Sequence, residues 1–136
     1  MDKQEVIALI RSLQLPETQY VVVGGAALTI RGIRDTDDID LVVTAELFEL
    51  LSLSGWSEKL RPDGKPGLRL GCFEAYLDVN TDSFGRDTSW LIDNAESIHG
   101  IPCVDLETLA DWKRAYGRAK DLRDVEIIGT LCEGRV

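Results

Sequence analysis

"RDTDDIDLVV" (residues 34–43) carries four aspartates within six positions and then becomes apolar for the length of a short strand. Side chains at i and i+2 of a strand project from the same face, so Asp38 and Asp40 are predicted to lie side by side, with Ile39 and Leu41 facing the core. Two like charges on one face repel each other, and the arrangement therefore favours a bound divalent cation. The alternative is a solvated acidic loop that leads into an edge strand, because D-x-D is a short motif and common in acidic chains.

The composition is that of an ordinary globular chain, with 136 residues of which 44% are hydrophobic and 29% charged. We expect one domain over residues 1–136, with a core at about 18–104 and C-terminal helices at about 105–133. No apolar run approaches the roughly 20 residues of a membrane span. The N-terminus is charged from its second residue, unlike a signal peptide.

The cysteines match neither a zinc motif nor a disulfide framework, because Cys72, Cys103 and Cys132 are odd in number and widely spaced. We therefore expect three reduced thiols in a cytoplasmic protein. The single histidine, His99, excludes a mechanism that needs two histidines.

The net charge of −9 disfavours binding of nucleic acid by bulk electrostatics. The charge is uneven, however. Carboxylates crowd residues 35–40, whereas five cationic residues lie near the C-terminus, namely Lys113, Arg114, Arg118, Lys120 and Arg123. One region could thus bind cations and another could bind phosphate.

The pattern of apolar residues, caps and turn residues predicts alternating elements. Helices are predicted over residues 3–13, 26–30, 45–53 after an N-cap at Thr44, 105–116 and 120–132. Strands are predicted over residues 20–23, 39–43, 68–72, 75–80 and 98–104, with a loop at 61–67 and an irregular or helical segment at 83–95. The predicted class is α/β (α+β), with a small mixed sheet of about four or five strands flanked by helices.

Two further features favour a site for a metal and a phosphate. Asp78 lies in AYLDVNTD on a predicted neighbouring strand, where it could supply a third carboxylate or be a half-exposed strand residue. Glu74 and Asp82 lie close enough in sequence to take its place as the third carboxylate. In VVVGGAA, Gly24 and Gly25 separate a strand from a helix. They would allow a ligand close to the backbone and leave helix N–H groups for phosphate, unless they form only a tight turn. The motif is not G-x-G-x-x-G, so a dinucleotide-binding fold is disfavoured.

A glycine pair, a carboxylate pair about a dozen residues later and a third carboxylate on a following strand resemble the nucleotidyltransferase superfamily related to DNA polymerase β. The resemblance is closer to a minimal subgroup that includes abortive-infection-type toxins. Three segments carry it, namely Gly24-Gly25-Ala26-Ala27, Arg34-Thr36-Asp38-Ile39-Asp40 and WKRAYGRAKDLRDV at residues 112–125. It covers about residues 20–128 and implies a nucleotidyltransferase-like fold.

The resemblance implies an enzyme that depends on Mg²⁺ or Mn²⁺. It would transfer a nucleoside monophosphate from a nucleoside triphosphate to an acceptor hydroxyl and release pyrophosphate. The metal ligands and catalytic residues would be Asp38, Asp40 and Asp78, with Asp78 as a candidate base. The nucleotide-binding residues would be Gly24, Gly25, Arg34, Thr36, Lys113 and Lys120.

Several roles have structural alternatives. Arg34 could form a surface ion pair with Asp35 or Asp37, and Lys113 could be a solvated helix position. The pair Lys120-Asp121 could anchor the last helix beneath the site rather than act in it, because Asp121 in a first helical turn is favoured by the macrodipole.

The acceptor stays open among a protein side chain, a tRNA end and a small molecule, in a context such as a toxin–antitoxin pair. The cleft could be completed by a homodimer or by a partner protein, and no membrane partner is expected. The competing hypothesis is a catalytically silent binding module of the same fold, antitoxin-like or regulatory.

Overall fold

A computed structural model describes the backbone of residues 1–133 and the side chains of residues 1–131. Within this part, the helices are α1 (Lys3–Leu13), α2 (Gly24–Ile30), α3 (Ala45–Leu53), α4 (Thr88–Asp93), α5 (Leu106–Tyr116) and α6 (Ala119–Glu133). The strands are β1 (Tyr20–Val23), β2 (Ile39–Val43), β3 (Ser57–Leu60), β4 (Pro66–Leu70), β5 (Phe73–Tyr76), β6 (Glu96–Ile98) and β7 (Ile101–Cys103). The fold is a mixed α+β architecture.

The seven strands form one mixed sheet in the order β3-β4-β5-β2-β1-β7-β6. Strand β2 pairs with β1 antiparallel and with β5 parallel, and β1 pairs with β7 parallel. The remaining neighbours, β3–β4, β4–β5 and β6–β7, are antiparallel. All four residues of β1 and all but one of β2 are buried, so the core lies on both faces of the central strands. The exception is Asp40.

The helix ends follow the capping residues of the sequence. Asp2 and Glu5 form a reciprocal capping box at the start of α1. Thr44 accepts a hydrogen bond from the Leu47 amide at the start of α3, and Asp105 caps α5 in the same way. These ends agree with the predicted bounds because each cap satisfies amides that would otherwise lack a partner.

The register of β2 with its neighbours β1 and β5 determines where the acidic stretch lies in the sheet. Asp40 lies opposite Val23, the last residue of β1, and also beside Glu74 of β5. The strand begins at Ile39, so Asp38 stands at its entrance rather than within it. The turn from β1 into α2 therefore meets the start of β2.

The predicted sheet of four or five strands is too small. Strand β3 was not predicted, because its residues are mostly exposed and alternate little in polarity. The strand predicted over 98–104 is a hairpin of β6 and β7, which turns at His99 and Gly100 with φ of 54° and 79°. Strand β5 ends at Tyr76, four residues before the predicted end.

Of the cysteines, Cys72 and Cys103 are free thiols, whereas the side chain of Cys132 lies outside the described residues. No helix in the described part of the chain combines the length and the apolar character needed to cross a bilayer.

Candidate functional site

A cavity of about 270 Å³ lies where the start of α2, the entrance to β2 and the helices α5 and α6 meet. Every residue predicted for the site lines it except Asp78. The structure thus brings together residues from the glycine turn, the acidic stretch and the C-terminal segment. A second cavity, of about 340 Å³, extends from the first towards β3 and β5. The two share five lining residues, namely Asp38, Asp40, Trp112, Arg118 and Lys120.

Asp40 is the most unusual carboxyl group of the first cavity. The residue is half-buried, yet its Oδ1 is shielded from solvent and has no hydrogen-bond partner among the described residues. Burial raises the pKa of Asp40 from 3.8 to about 7, and the charges of Glu74 and Asp38 add to the shift. A buried oxygen without a partner costs free energy unless something else binds it.

Gly24 is required by its contact with Asp40. Its φ is +66°, and a Cβ built on it would lie 2.8 Å from Oδ2 of Asp40. Its positive φ and its close contact with Asp40 therefore both disfavour a side chain at this position.

The space that a side chain at Gly25 would need is likewise occupied by other residues of the chain. A Cβ there would lie 2.9 Å from Nη2 of Arg34 and 2.9 Å from Oγ1 of Thr36. The Thr36 hydroxyl also donates to the backbone oxygen of Asp38 at 3.1 Å, which fixes the path of the acidic stretch. Helix α2 has only seven residues, so its N-terminus alone does not make a phosphate site.

Asp78 does not join the aspartate pair. Its Oδ1 accepts from Nζ of Lys65 at 2.8 Å and from the Asn80 amide at 3.0 Å. Burial alone would raise the pKa of Asp78, but these hydrogen bonds outweigh it and lower the pKa. Asp78 therefore does not take the place beside Asp38 and Asp40 that the sequence predicted for it. The chain leaves the sheet after Tyr76, before Asp78 could take its place in the ladder.

Glu74 occupies the place beside Asp40 that was expected for Asp78. Its Oε1 accepts from Nζ of Lys59 at 2.6 Å, and its Oε2 accepts from the Tyr76 hydroxyl. Burial would raise the pKa of Glu74, but the hydrogen bonds from Lys59 and Tyr76 lower it overall. Glu74 is thus ionised where Asp40 tends to hold its proton.

The sequence did not predict Lys59, and it offered Glu74 only as a neighbour that could take the place of Asp78. The signal for Glu74 was the pairing of β2 with β5, since residues opposite each other on adjacent strands share a face. Lys59 lies on β3, the strand that the pattern did not predict.

A second group of acids near the cavity is neutralised. Asp121 and Asp124 on α6 are 1% and 3% exposed, and three cations surround them. Nζ of Lys113 lies 2.8 Å from Asp124 and 3.5 Å from Asp121. Arg118 binds Asp121 through Nε at 2.6 Å.

The predicted alternatives for the cations are settled in part by these contacts. Arg34 pairs with Asp124 instead of Asp35 or Asp37, and Lys113 is buried instead of solvated. Asp121 anchors the joint between α5 and α6. Lys120 is exposed, lines both cavities and forms no ion pair with another described side chain.

A preformed cage for a metal is absent from the described residues, where no group of three or more Asp, Glu, His or Cys side chains is close enough to hold an ion. The pair Asp38 and Asp40 nevertheless fits a hard divalent cation, because Mg²⁺ commonly uses one or two carboxylates and completes its shell with water and substrate phosphate. The Oδ1 of Asp40 is a buried oxygen that needs a partner, and it supports this fit.

Comparison with protein-family models, with curated proteins and with solved structures found no match for this chain.

Proposed function

We propose that the chain is a metal-dependent nucleotidyltransferase, which moves a nucleoside monophosphate from a nucleoside triphosphate to an acceptor hydroxyl and releases pyrophosphate. One observation carries the proposal. The carboxyl group of Asp40, whose buried Oδ1 has no hydrogen-bond partner in the described part of the chain, stands beside Asp38 in a cavity that Gly24 and Gly25 also line. This is a costly arrangement for a fold alone. A divalent cation bound in the cavity together with its other ligands would give Oδ1 of Asp40 a partner and so offset this cost.

The charge of the first cavity supports the dependence on metal. Four cationic and six acidic side chains line it, so a free triphosphate would meet net negative charge. Divalent cations that enter with the triphosphate would neutralise it, and they would polarise the reacting phosphate and activate the acceptor hydroxyl. Mn²⁺ is expected to replace Mg²⁺, since both prefer carboxylate and phosphate oxygens.

The chain's own residues then have separate tasks. Asp38 and Asp40 would hold the cation, with Asp40 in its ionised form. Lys120, exposed at the boundary of the two cavities, is the cation best placed to neutralise phosphate charge.

The second cavity is the proposed place of the acceptor. Glu74 replaces Asp78 as the third carboxylate. Its ionised group, now bound by Lys59 and Tyr76, can exchange the Tyr76 hydroxyl for the acceptor hydroxyl and orient it.

A catalytically silent nucleotide-binding module is the second candidate. It is favoured by the fact that both oxygens of Glu74 already have donors, and that Arg34 and Lys113 are already paired with Asp124. Such a module would bind a triphosphate in the first cavity without transfer.

The test is to incubate purified protein with Mg²⁺, a cell extract and each of the four triphosphates, labelled at the α-phosphate in one set and at the γ-phosphate in another. We expect α-label on an acceptor, γ-label in pyrophosphate, and loss of both in Asp38→Asn. Triphosphate binding without transfer would support the silent module. Transfer of the γ-label to an acceptor would contradict nucleotidyl transfer.

A further inference from the structure

Asp124 connects three parts of the chain that are distant in sequence. It lies on α6 and accepts two hydrogen bonds from Arg34, which is 90 residues away, through Nε at 2.8 Å and Nη2 at 2.7 Å. Its Oδ2 also forms an ion pair with Nζ of Lys113 on α5, at 2.8 Å. Side chains of both Asp124 and Lys113 are about 95% buried, whereas Arg34 is one-third exposed.

The pairing with Asp124 leaves donors of Arg34 free. A guanidinium carries five N–H groups. Among the described residues, Arg34 uses Nε and Nη2 for Asp124 and Nη1 for the backbone oxygen of Asp35 at 2.7 Å. One further N–H therefore remains on each terminal nitrogen.

These two terminal nitrogens lie at the glycine turn. A Cβ on Gly25 would be 2.9 Å from Nη2 and 3.1 Å from Nη1 of Arg34. A bidentate arginine–carboxylate pair is geometrically strict, since two parallel bonds fix both the position and the plane of the guanidinium. The carboxylate of Asp124 thus determines where the free donors of Arg34 stand in the first cavity.

We propose that Asp124 is a positioning residue for the triphosphate, which acts through Arg34 and Lys113 and touches no substrate itself. This inference rests on the proposed binding of a triphosphate in the first cavity. Asp124 holds the guanidinium plane against Gly25 and the ammonium of Lys113 beside it, so that both cations contact phosphate oxygens without a search among rotamers. Its neighbour Asp121 has a different task, which is to fix Arg118 and the start of α6.

The test measures the dissociation constant of each Mg²⁺–triphosphate by calorimetry, well below the melting temperature of every variant. The variants are Arg34→Lys, Asp124→Asn and the double variant, with Asp111→Asn as control because Asp111 forms only an exposed ion pair with Arg114. Arg34→Lys keeps the charge but loses the two-bond pairing. If Asp124→Asn unfolds, Arg34→Lys still allows triphosphate binding to be measured on a folded variant.

We expect Arg34→Lys and Asp124→Asn each to weaken triphosphate binding by about tenfold or more, and the double variant to be scarcely weaker than either, because residues that act as one unit are not additive. Asp111→Asn should bind like wild type. A wild-type affinity in Arg34→Lys, or losses that multiply in the double variant, would overturn the positioning role while leaving nucleotide binding intact. A wild-type protein that binds no triphosphate would overturn the proposed function together with this inference.

Discussion

Asp40 and the pair Asp121 and Asp124 have opposite environments, although all three are aspartates that line the first cavity. Asp121 and Asp124 are buried among Lys113, Arg34 and Arg118, and the pKa of Asp124 is lowered because hydrogen bonds from Arg34 and Lys113 outweigh its burial. The pKa of Asp40 is raised instead. Removing one partner of a buried ion pair destabilises a fold, because the other charge is left uncompensated. Asp40 forms no such pair with a cation among the described residues, in keeping with its proposed role as a metal ligand.

The pH dependence of the stability of the metal-free protein should show whether Asp40 keeps its proton in the folded state. Because the pKa of Asp40 is about 7 in the folded chain and near 3.8 otherwise, the folded state binds the proton more tightly. Its contribution to stability is therefore full below about pH 4 and is lost as the pH rises through about 7. Denaturant titrations in EDTA should show wild type losing stability relative to Asp40→Asn between about pH 4 and pH 7. Parallel pH profiles of the two proteins would contradict this assignment.

At the scale of elements, the β1–α2 turn exists in its present form because Asp40 occupies the space beside it. Gly24→Ala should destabilise the protein by about 1–3 kcal/mol, since it combines a positive φ with a contact of 2.8 Å to Oδ2 of Asp40. Gly71→Ala is the matched control, because Gly71 has a φ of +58° and nothing within 4 Å of its Cβ position. Urea unfolding of both variants measures the difference. Equal losses would mean that backbone strain, and not the Asp40 contact, requires Gly24.

Elements with local signals were predictable from the sequence. Helices α1, α3 and α5 carry their caps and their periodicity within a dozen residues, β1 is a continuous apolar run, and β2 is apolar apart from Asp40. Strand β3 has no such signal, because an exposed edge strand needs only its pairing with β4. The hairpin of β6 and β7 was hidden by a turn in which a non-glycine residue, His99, adopts a positive φ.

At the scale of the molecule, the cavity depends on contacts that the sequence does not reveal. The resemblance grouped the glycine turn, the acidic pair and the C-terminal segment, and residues of all three line the first cavity. The link between Arg34 and Asp124, however, spans 90 residues and has no local pattern. The exchange of Asp78 for Glu74 has the same origin, since the neighbour of Asp40 is decided by the β2–β5 register and by where β5 ends. Long-range register could not be derived from a single sequence.

On the proposed function, the acids of the whole molecule have two separate tasks, and thermal melts of Asp40→Asn test this division most directly. In EDTA at about pH 8, Asp40→Asn should melt at or slightly above wild type, because a repelling, poorly solvated charge is removed. Asp124→Asn should by contrast lose about 3–5 kcal/mol, as a broken buried ion pair does. Mg²⁺ with a nucleoside triphosphate should raise the melting temperature of wild type and leave that of Asp40→Asn unchanged. If Asp40→Asn melts well below wild type in EDTA, the aspartates of residues 34–43 build the fold and the proposed metal site is wrong.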